Sequence, residues 1–76
     1  MTRSGARILS ALASNDRAAA TLDAVRFAVG GAIAEFRAQL VELEDAGLVV
    51  EDHHHRGVLV LTAIGARVAD RLGAPS

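Results

Sequence analysis

A helical stripe of apolar residues in the middle of the chain limits most strongly how it can fold. The stripe recurs at i, i+3, i+7 and i+10, the spacing that brings side chains to one face of a helix. Its members are Ile33, Phe36, Leu40 and Leu43. Gly47 follows the stripe, and glycine readily takes the left-handed backbone conformation that commonly ends a helix. Apolar residues resume at once at 48–50, so this order predicts a core-facing helix that turns directly into a strand.

Three further helices are predicted from apolar spacing and from residues that favour helix ends. The first covers about residues 5–13, and the second covers residues 22–29 with Thr21 as its N-cap. The last begins after Thr62, a second N-cap, and ends in the segment 73–75, which contains glycine and proline. Its core-facing residues are expected at i, i+4 and i+8, namely Ile64, Val68 and Leu72.

The segments between these helices predict a short extended stretch and a β-hairpin. Residues 18–20 form the extended stretch, and residues 48–52 and 58–61 form the two strands of the hairpin. The polar residues 53–57 include a glycine and join the two strands. The predicted fold class is therefore mainly α with a small β-hairpin (α+β).

The length and composition agree with one small domain and exclude several classes of protein. A chain of 76 residues buries only about 60% of its unfolded surface, so it needs a dense apolar core, and 51% of its residues are hydrophobic. We predict a single domain over residues 1–76, with its core at about residues 6–72. The chain has no cysteine, which excludes disulfide scaffolds and cysteine-based zinc fingers. Because no apolar run approaches the roughly 20 residues of a membrane helix, we expect a soluble, cytoplasmic protein with no membrane partner.

Three short motifs follow one another along the predicted helices and strands. The first is residues 20–25 running into Val29-Gly30, the second is L-V-E-L-E-D-A-G-L-V at residues 40–49, and the third is L-T-A-I-G at residues 61–65. Together they resemble the winged helix-turn-helix domain of MarR/ArsR-like bacterial transcriptional regulators. The resemblance implies that the third helix enters the major groove of double-stranded DNA and that the hairpin forms the wing.

The resemblance also points to a set of side chains that would contact DNA. On the third helix, Arg37 suits guanine and Gln39 suits adenine, so these two are the expected base contacts. Arg26 on the second helix and Arg56 at the wing tip are expected to contact the DNA backbone or the minor groove. His54 and His55 lie beside Arg56 in the wing, and histidines gain positive charge below about pH 6.5. These residues predict a small DNA-binding transcriptional regulator.

The charge of the third helix leaves a second class of function open. Residues 32–46 carry one arginine and four acidic residues, a net charge of −3, which opposes contact with phosphates. The outward face of this helix also has small side chains that would let another helix approach, namely Ala34, Ala38 and Val41. The alternative is therefore a winged-helix module for protein–protein contact that does not bind DNA. Either function is compatible with a homodimer built on the first and last helices.

The histidine run and the other polar residues predict neither a metal centre nor an active site. In an extended segment His53 and His55 would face one side, with Glu51 or Asp52 nearby, but a loop holds such ligands with little rigidity. All three histidines are bunched in this loop, and the hydroxyl residues are mostly accounted for as caps, turns or termini. We therefore predict no metal site, no cofactor and no enzymatic activity.

Overall fold

The helices and strands of the computed structural model follow the predicted order. The structure describes residues 3–15 and 17–73 of the chain. Within these residues, the four helices are α1 (Arg3–Ala13), α2 (Leu22–Val29), α3 (Ile33–Asp45) and α4 (Ala63–Gly73). The three strands are β1 (Ala19–Thr21), β2 (Val49–Glu51) and β3 (Val58–Leu61). This arrangement confirms the α+β fold class, and Pro75, predicted to help end the last helix, lies outside the described residues.

Local capping explains where α2 begins and ends. The Thr21 hydroxyl accepts a hydrogen bond from the Ala24 N–H at 3.1 Å, which satisfies one of the donors that a first helical turn leaves unpaired. Gly30 ends α2 with a φ of +71°, a conformation that favours glycine. Ala32 is the N-cap of α3 and forms no side-chain hydrogen bond to its first turn. The turn between the two helices is therefore only three residues long, residues 30–32.

β1 turns the predicted hairpin into a three-stranded antiparallel sheet. β3 lies in the centre, with β1 on one side and β2 on the other. Ala20 pairs with Leu59, and Val50 pairs with Val60, which confirms the predicted hairpin. The sequence indicated only an extended stretch before α2, because pairing between distant segments leaves no local signal. β1 therefore fixes the hairpin to the segment from which α2 starts.

The core lies where α1 meets the other helices and the inner face of the sheet. α1 contributes three residues with no solvent exposure: Ile8, Leu9 and Leu12. The predicted α3 stripe is confirmed at three of its four positions: Phe36, Leu40 and Leu43. The fourth, Ile33, is 44% exposed. Ile33 is the first residue of α3 and lies at the rim of a cleft between α2 and α3, so its side chain is only partly covered.

α4 turns a different face to the core from the one that the sequence predicted. Ile64 is 58% exposed and Leu72 is 48% exposed, so the prediction that both pack on the core is wrong. Val68 lies between them and is half-buried. Gly65 and Ala69 are buried in their place. The small side chains of α4 therefore face inward and leave its larger apolar stripe at the surface.

Close contact between α4 and the turn after α3 explains why small residues face inward. A Cβ atom on Gly65 would overlap the Leu48 carbonyl oxygen and would lie 2.9 Å from Leu61 Cδ1. The Thr62 hydroxyl holds the same joint, because it donates to the Gly47 carbonyl at 2.6 Å and accepts from the Gly65 N–H at 3.0 Å. Gly47 has a φ of +76°, as expected for the residue that turns α3 into β2.

Candidate functional site

A cleft between α2 and α3 contains two arginines. Its volume is about 110 Å³, and Arg26 and Arg37 both line it, together with Asp23. Both guanidinium groups are exposed, and neither forms an ion pair with another described residue. The other lining residues are apolar: Leu22, Ile33, Phe36 and Leu40. The cleft therefore combines two positive charges and one carboxylate with an apolar lining.

The hairpin loop lies beside this cleft because β1 leads directly into α2. The Leu22 N–H donates to the Gly57 carbonyl at 2.6 Å, and Thr21 pairs with Val58. Leu22 lines the cleft, so the loop that carries Arg56 ends at the edge of the cleft. Arg56 is exposed, as the two cleft arginines are. We call Arg26, Arg37 and Arg56 the arginine surface, to which α2, α3 and the hairpin loop each contribute one residue.

The acidic residues of α3 are distributed around the helix rather than concentrated beside Arg37. The Glu35 carboxylate accepts a hydrogen bond from the Ser4 hydroxyl at 2.8 Å, which holds it against α1. Residues two apart on a helix do not share a face, so Arg37 projects away from Glu35. Glu44 lies on the same side as Arg37 but two helical turns further along. Among the residues that line the cleft, Asp23 supplies the carboxylate.

Asp52 organises the start of the hairpin loop. One carboxylate oxygen accepts the His54 backbone N–H at 2.8 Å, and the other lies 3.5 Å from His55 Nδ1. The bond from the His54 N–H lowers the pKa of the Asp52 carboxyl; burial raises it by less, and the His55 imidazole lowers it further. A carboxylate whose charged form is stabilised in this way holds the loop in a defined conformation just before Arg56.

Acid is expected to weaken this loop contact. Because the pKa of Asp52 is lowered in the folded state, the contact stabilises the fold fully above the ordinary aspartate pKa of about 3.9 and is lost as the pH falls through the lowered pKa. The free energy of unfolding in urea, measured at about pH 5 and about pH 2.5, detects this loss. Asp52→Asn keeps an acceptor oxygen but has no charge to lose, so its free energy of unfolding should fall less between the two pH values. Equal losses in both proteins would contradict the assignment to Asp52.

The predicted DNA contacts differ in how available the structure leaves them. Arg37 is exposed at the cleft, and His54 and His55 are exposed in the loop beside Arg56. Gln39 is half-buried on the same side of α3 as Glu35 and already takes part in an interaction within the chain. Gln39 is therefore less available to a partner than Arg37.

The outward face of α3 is open, and further apolar side chains are exposed near it. Its three small residues are all accessible: Ala34, Ala38 and Val41. Sequence reasoning missed exposed apolar side chains on α2 and α3, namely Leu22, Phe27 and Ile33. The outward position of Phe27 was predictable from spacing. Val25 and Val29 lie four residues apart and share the core face, so the residue midway between them faces outward.

Neither a cluster of metal ligands nor a membrane-spanning helix is found among the described residues. Residues 3–15 and 17–73 contain no group of three or more His, Asp or Glu side chains placed to hold a metal ion. The longest described helix, α3, has 13 residues, and none of the described helices has the length and apolar character needed to cross a membrane.

Comparisons with known proteins add no relative to these observations. No protein-family model, no curated protein and no solved structure gave a significant match to the chain. Any functional proposal therefore depends on the chemistry of the surfaces described above.

Proposed function

We propose that this chain is a winged helix-turn-helix domain that binds double-stranded DNA, with α3 in the major groove and the hairpin as the wing. The observation that carries the proposal is the arginine surface. Arg26 and Arg37 line one cleft, and the Leu22–Gly57 hydrogen bond attaches the loop of Arg56 to the edge of that cleft. Three separate elements thus offer positive charge to one extended partner, which suits the regular phosphates of a duplex better than a small ligand.

The three arginines have different roles in this proposal. Arg37 lies on α3 and reads guanine, because a guanidinium group bonds to both acceptors of that base in the major groove. Arg26 and Arg56 flank it on α2 and on the wing and contact phosphates. His54 and His55 are exposed beside Arg56 in the wing and contact the DNA backbone with it. The restraint of Glu35 by Ser4 supports this arrangement, because it keeps the nearest α3 carboxylate in sequence away from Arg37.

Fluorescence anisotropy with double-stranded DNA at 50 and 200 mM salt tests the proposal. Two phosphate contacts per bound copy predict that affinity falls about 12-fold over this range, from a slope of about −0.9 per contact. Arg56→Ala removes one phosphate contact. Between 50 and 200 mM salt, the DNA affinity of this variant should therefore fall only about 3- to 4-fold. Arg37→Ala should cost about 1–3 kcal/mol on a preferred sequence.

Arg67→Ala is the matched control for these measurements. Arg67 is an exposed arginine on α4, outside the arginine surface. Its removal tests whether lost net charge alone weakens binding. The proposal is wrong if DNA affinity does not depend on salt, or if Arg67→Ala weakens binding as much as Arg56→Ala does.

The exposed apolar side chains favour a second candidate function, contact with another protein. Ile33 and Leu22 line the same cleft as the two arginines, and Val41 is exposed on the outward face of α3. An apolar patch rimmed by charged groups is typical of protein interfaces. If this candidate is right, the anisotropy signal stays flat at both salt concentrations.

A further inference from the structure

The outer face of α2 carries the most exposed large apolar side chain in the described part of the chain. Phe27 is 92% exposed, whereas Val25 and Val29 on either side of it in sequence are buried. Phe27 therefore points directly away from the core, because residues two positions from a buried pair lie on the opposite side of a helix. An aromatic ring in water is unfavourable, so this position suggests a partner that covers it.

The two flanks of Phe27 have complementary character. On one flank lies a cavity of about 240 Å³, lined mostly by alanines from α1, β1 and α2 together with Val25 and the polar residues Ser14 and Asn15. A cavity of about 150 Å³ already accepts a benzene ring, so this one has room for the ring of a phenylalanine. On the other flank, Asp23 and Arg26 line a second cavity with Phe27. Neither forms an ion pair with a described residue.

We propose that a second copy of this chain docks on this face, with α2 antiparallel to α2 across a two-fold axis. In such a contact, residues on one flank of each helix stay on the same side of the interface. A register that sets Asp23 opposite Arg26 of the second copy therefore also sets Arg26 opposite Asp23 of that copy. Phe27 lies one helical turn beyond Asp23. In the same register it therefore packs over Ala20 and Ala24 of the other copy. The ring of each copy then enters the alanine-lined cavity of its partner.

Charge complementarity distinguishes this face from the other exposed apolar stripe of the chain. On α4, Ile64 and Leu72 are exposed beside Arg67, Asp70 and Arg71, so the charged residues of that face sum to +1. An antiparallel pair of α4 helices would bring together two faces of net positive charge, which is unfavourable. The α2 face offers one acidic and one basic residue, so two copies satisfy each other. We therefore place the dimer contact on α2, whereas the homodimer on the first and last helices stays a sequence-based prediction.

Sedimentation equilibrium of the full chain without DNA tests the proposal. We expect a reversible dimer at protein concentrations up to about 1 mM, the weak end of specific association, because α2 is short. Phe27→Ala should raise the dimer Kd at least about tenfold without unfolding the monomer, since the ring is exposed there. Ile64→Ala, a similar apolar truncation on α4, should leave the Kd unchanged.

A charge exchange identifies the register. Asp23→Arg should weaken the dimer by setting two arginines together, and the double variant Asp23→Arg with Arg26→Asp should restore the Kd to within a few-fold. Circular dichroism shows whether each variant keeps its helices. A monomer at all concentrations, a dimer sensitive to Ile64→Ala but not to Phe27→Ala, or a double variant no better than Asp23→Arg would each overturn the proposal. Arg26 serves both proposals, so dimer formation and DNA binding are expected to compete for it. The dimer is measured without DNA, and its outcome does not depend on the DNA-binding test.

Discussion

Replacing Gly65 with alanine is expected to lower the free energy of unfolding by about 3 kcal/mol, the upper end of the usual range for overpacking. The added Cβ would overlap the Leu48 carbonyl oxygen, which belongs to the backbone and cannot rotate away as a side-chain end can. α4 would have to move outward, and this would stretch the bonds that Thr62 makes to the turn after α3. In an unconstrained helix the same change would instead stabilise the protein by roughly 0.5–1 kcal/mol, so the sign of the effect is decisive.

Urea unfolding followed by circular dichroism measures this effect. Arg67→Ala, an exposed position two residues along the same helix, controls for changes in the helical propensity of α4 and should stay within about 0.5 kcal/mol of the parent. A Gly65→Ala protein as stable as the parent would show that α4 does not approach the turn as closely as described.

Leu9→Ala is expected to cost about 2–5 kcal/mol. Leu9 has no solvent exposure and lies on α1, which packs against α2, α3 and α4. A domain of this length has about 4–11 kcal/mol of total stability, so the variant should lose a large fraction of it. The matched variant is Ile64→Ala, which removes a similar amount of apolar side chain from a position that is 58% exposed. It should change stability by about 0.5 kcal/mol or less.

Thermal and urea unfolding of the two variants at one low protein concentration distinguishes the two positions. Equal losses from Leu9→Ala and Ile64→Ala would mean that α4 packs with its larger apolar stripe inward, as the spacing alone predicted. That result would also remove the basis for the overlap at Gly65.

Local chemistry predicted where the elements begin and end, but not which faces meet. The N-caps Thr21 and Thr62 and the turn at Gly47 act within a few residues, so their sequence signals are direct. Periodicity shows which side chains of α4 share a face, yet α4 has one face with Ile64 and another with Gly65. The close approach of the α3–β2 turn determines which of these two faces packs on the core. The spacing of apolar residues in α4 does not predict that contact.

The candidate site was predictable residue by residue but not as an assembly. The sequence identifies each arginine of the arginine surface as a candidate DNA contact. Their common location depends on β1, which pairs with β3 and so brings Gly57 to Leu22 at the start of α2. Phe27 shows the reverse case, because its outward position follows from Val25 and Val29 alone, whereas the second copy proposed to cover it leaves no signal in the sequence.

The central position of β3 has a consequence for how the protein behaves at high concentration. Its residues 58–61 are Val-Leu-Val-Leu, an uncharged run of high β-propensity that would aggregate readily if left at a sheet edge. β1 and β2 occupy both of its edges, and each of these neighbours is only three residues long. The open edges are thus too short to recruit strands from other molecules. β3, the most aggregation-prone strand in the described part of the chain, is therefore protected for as long as β1 stays paired with it.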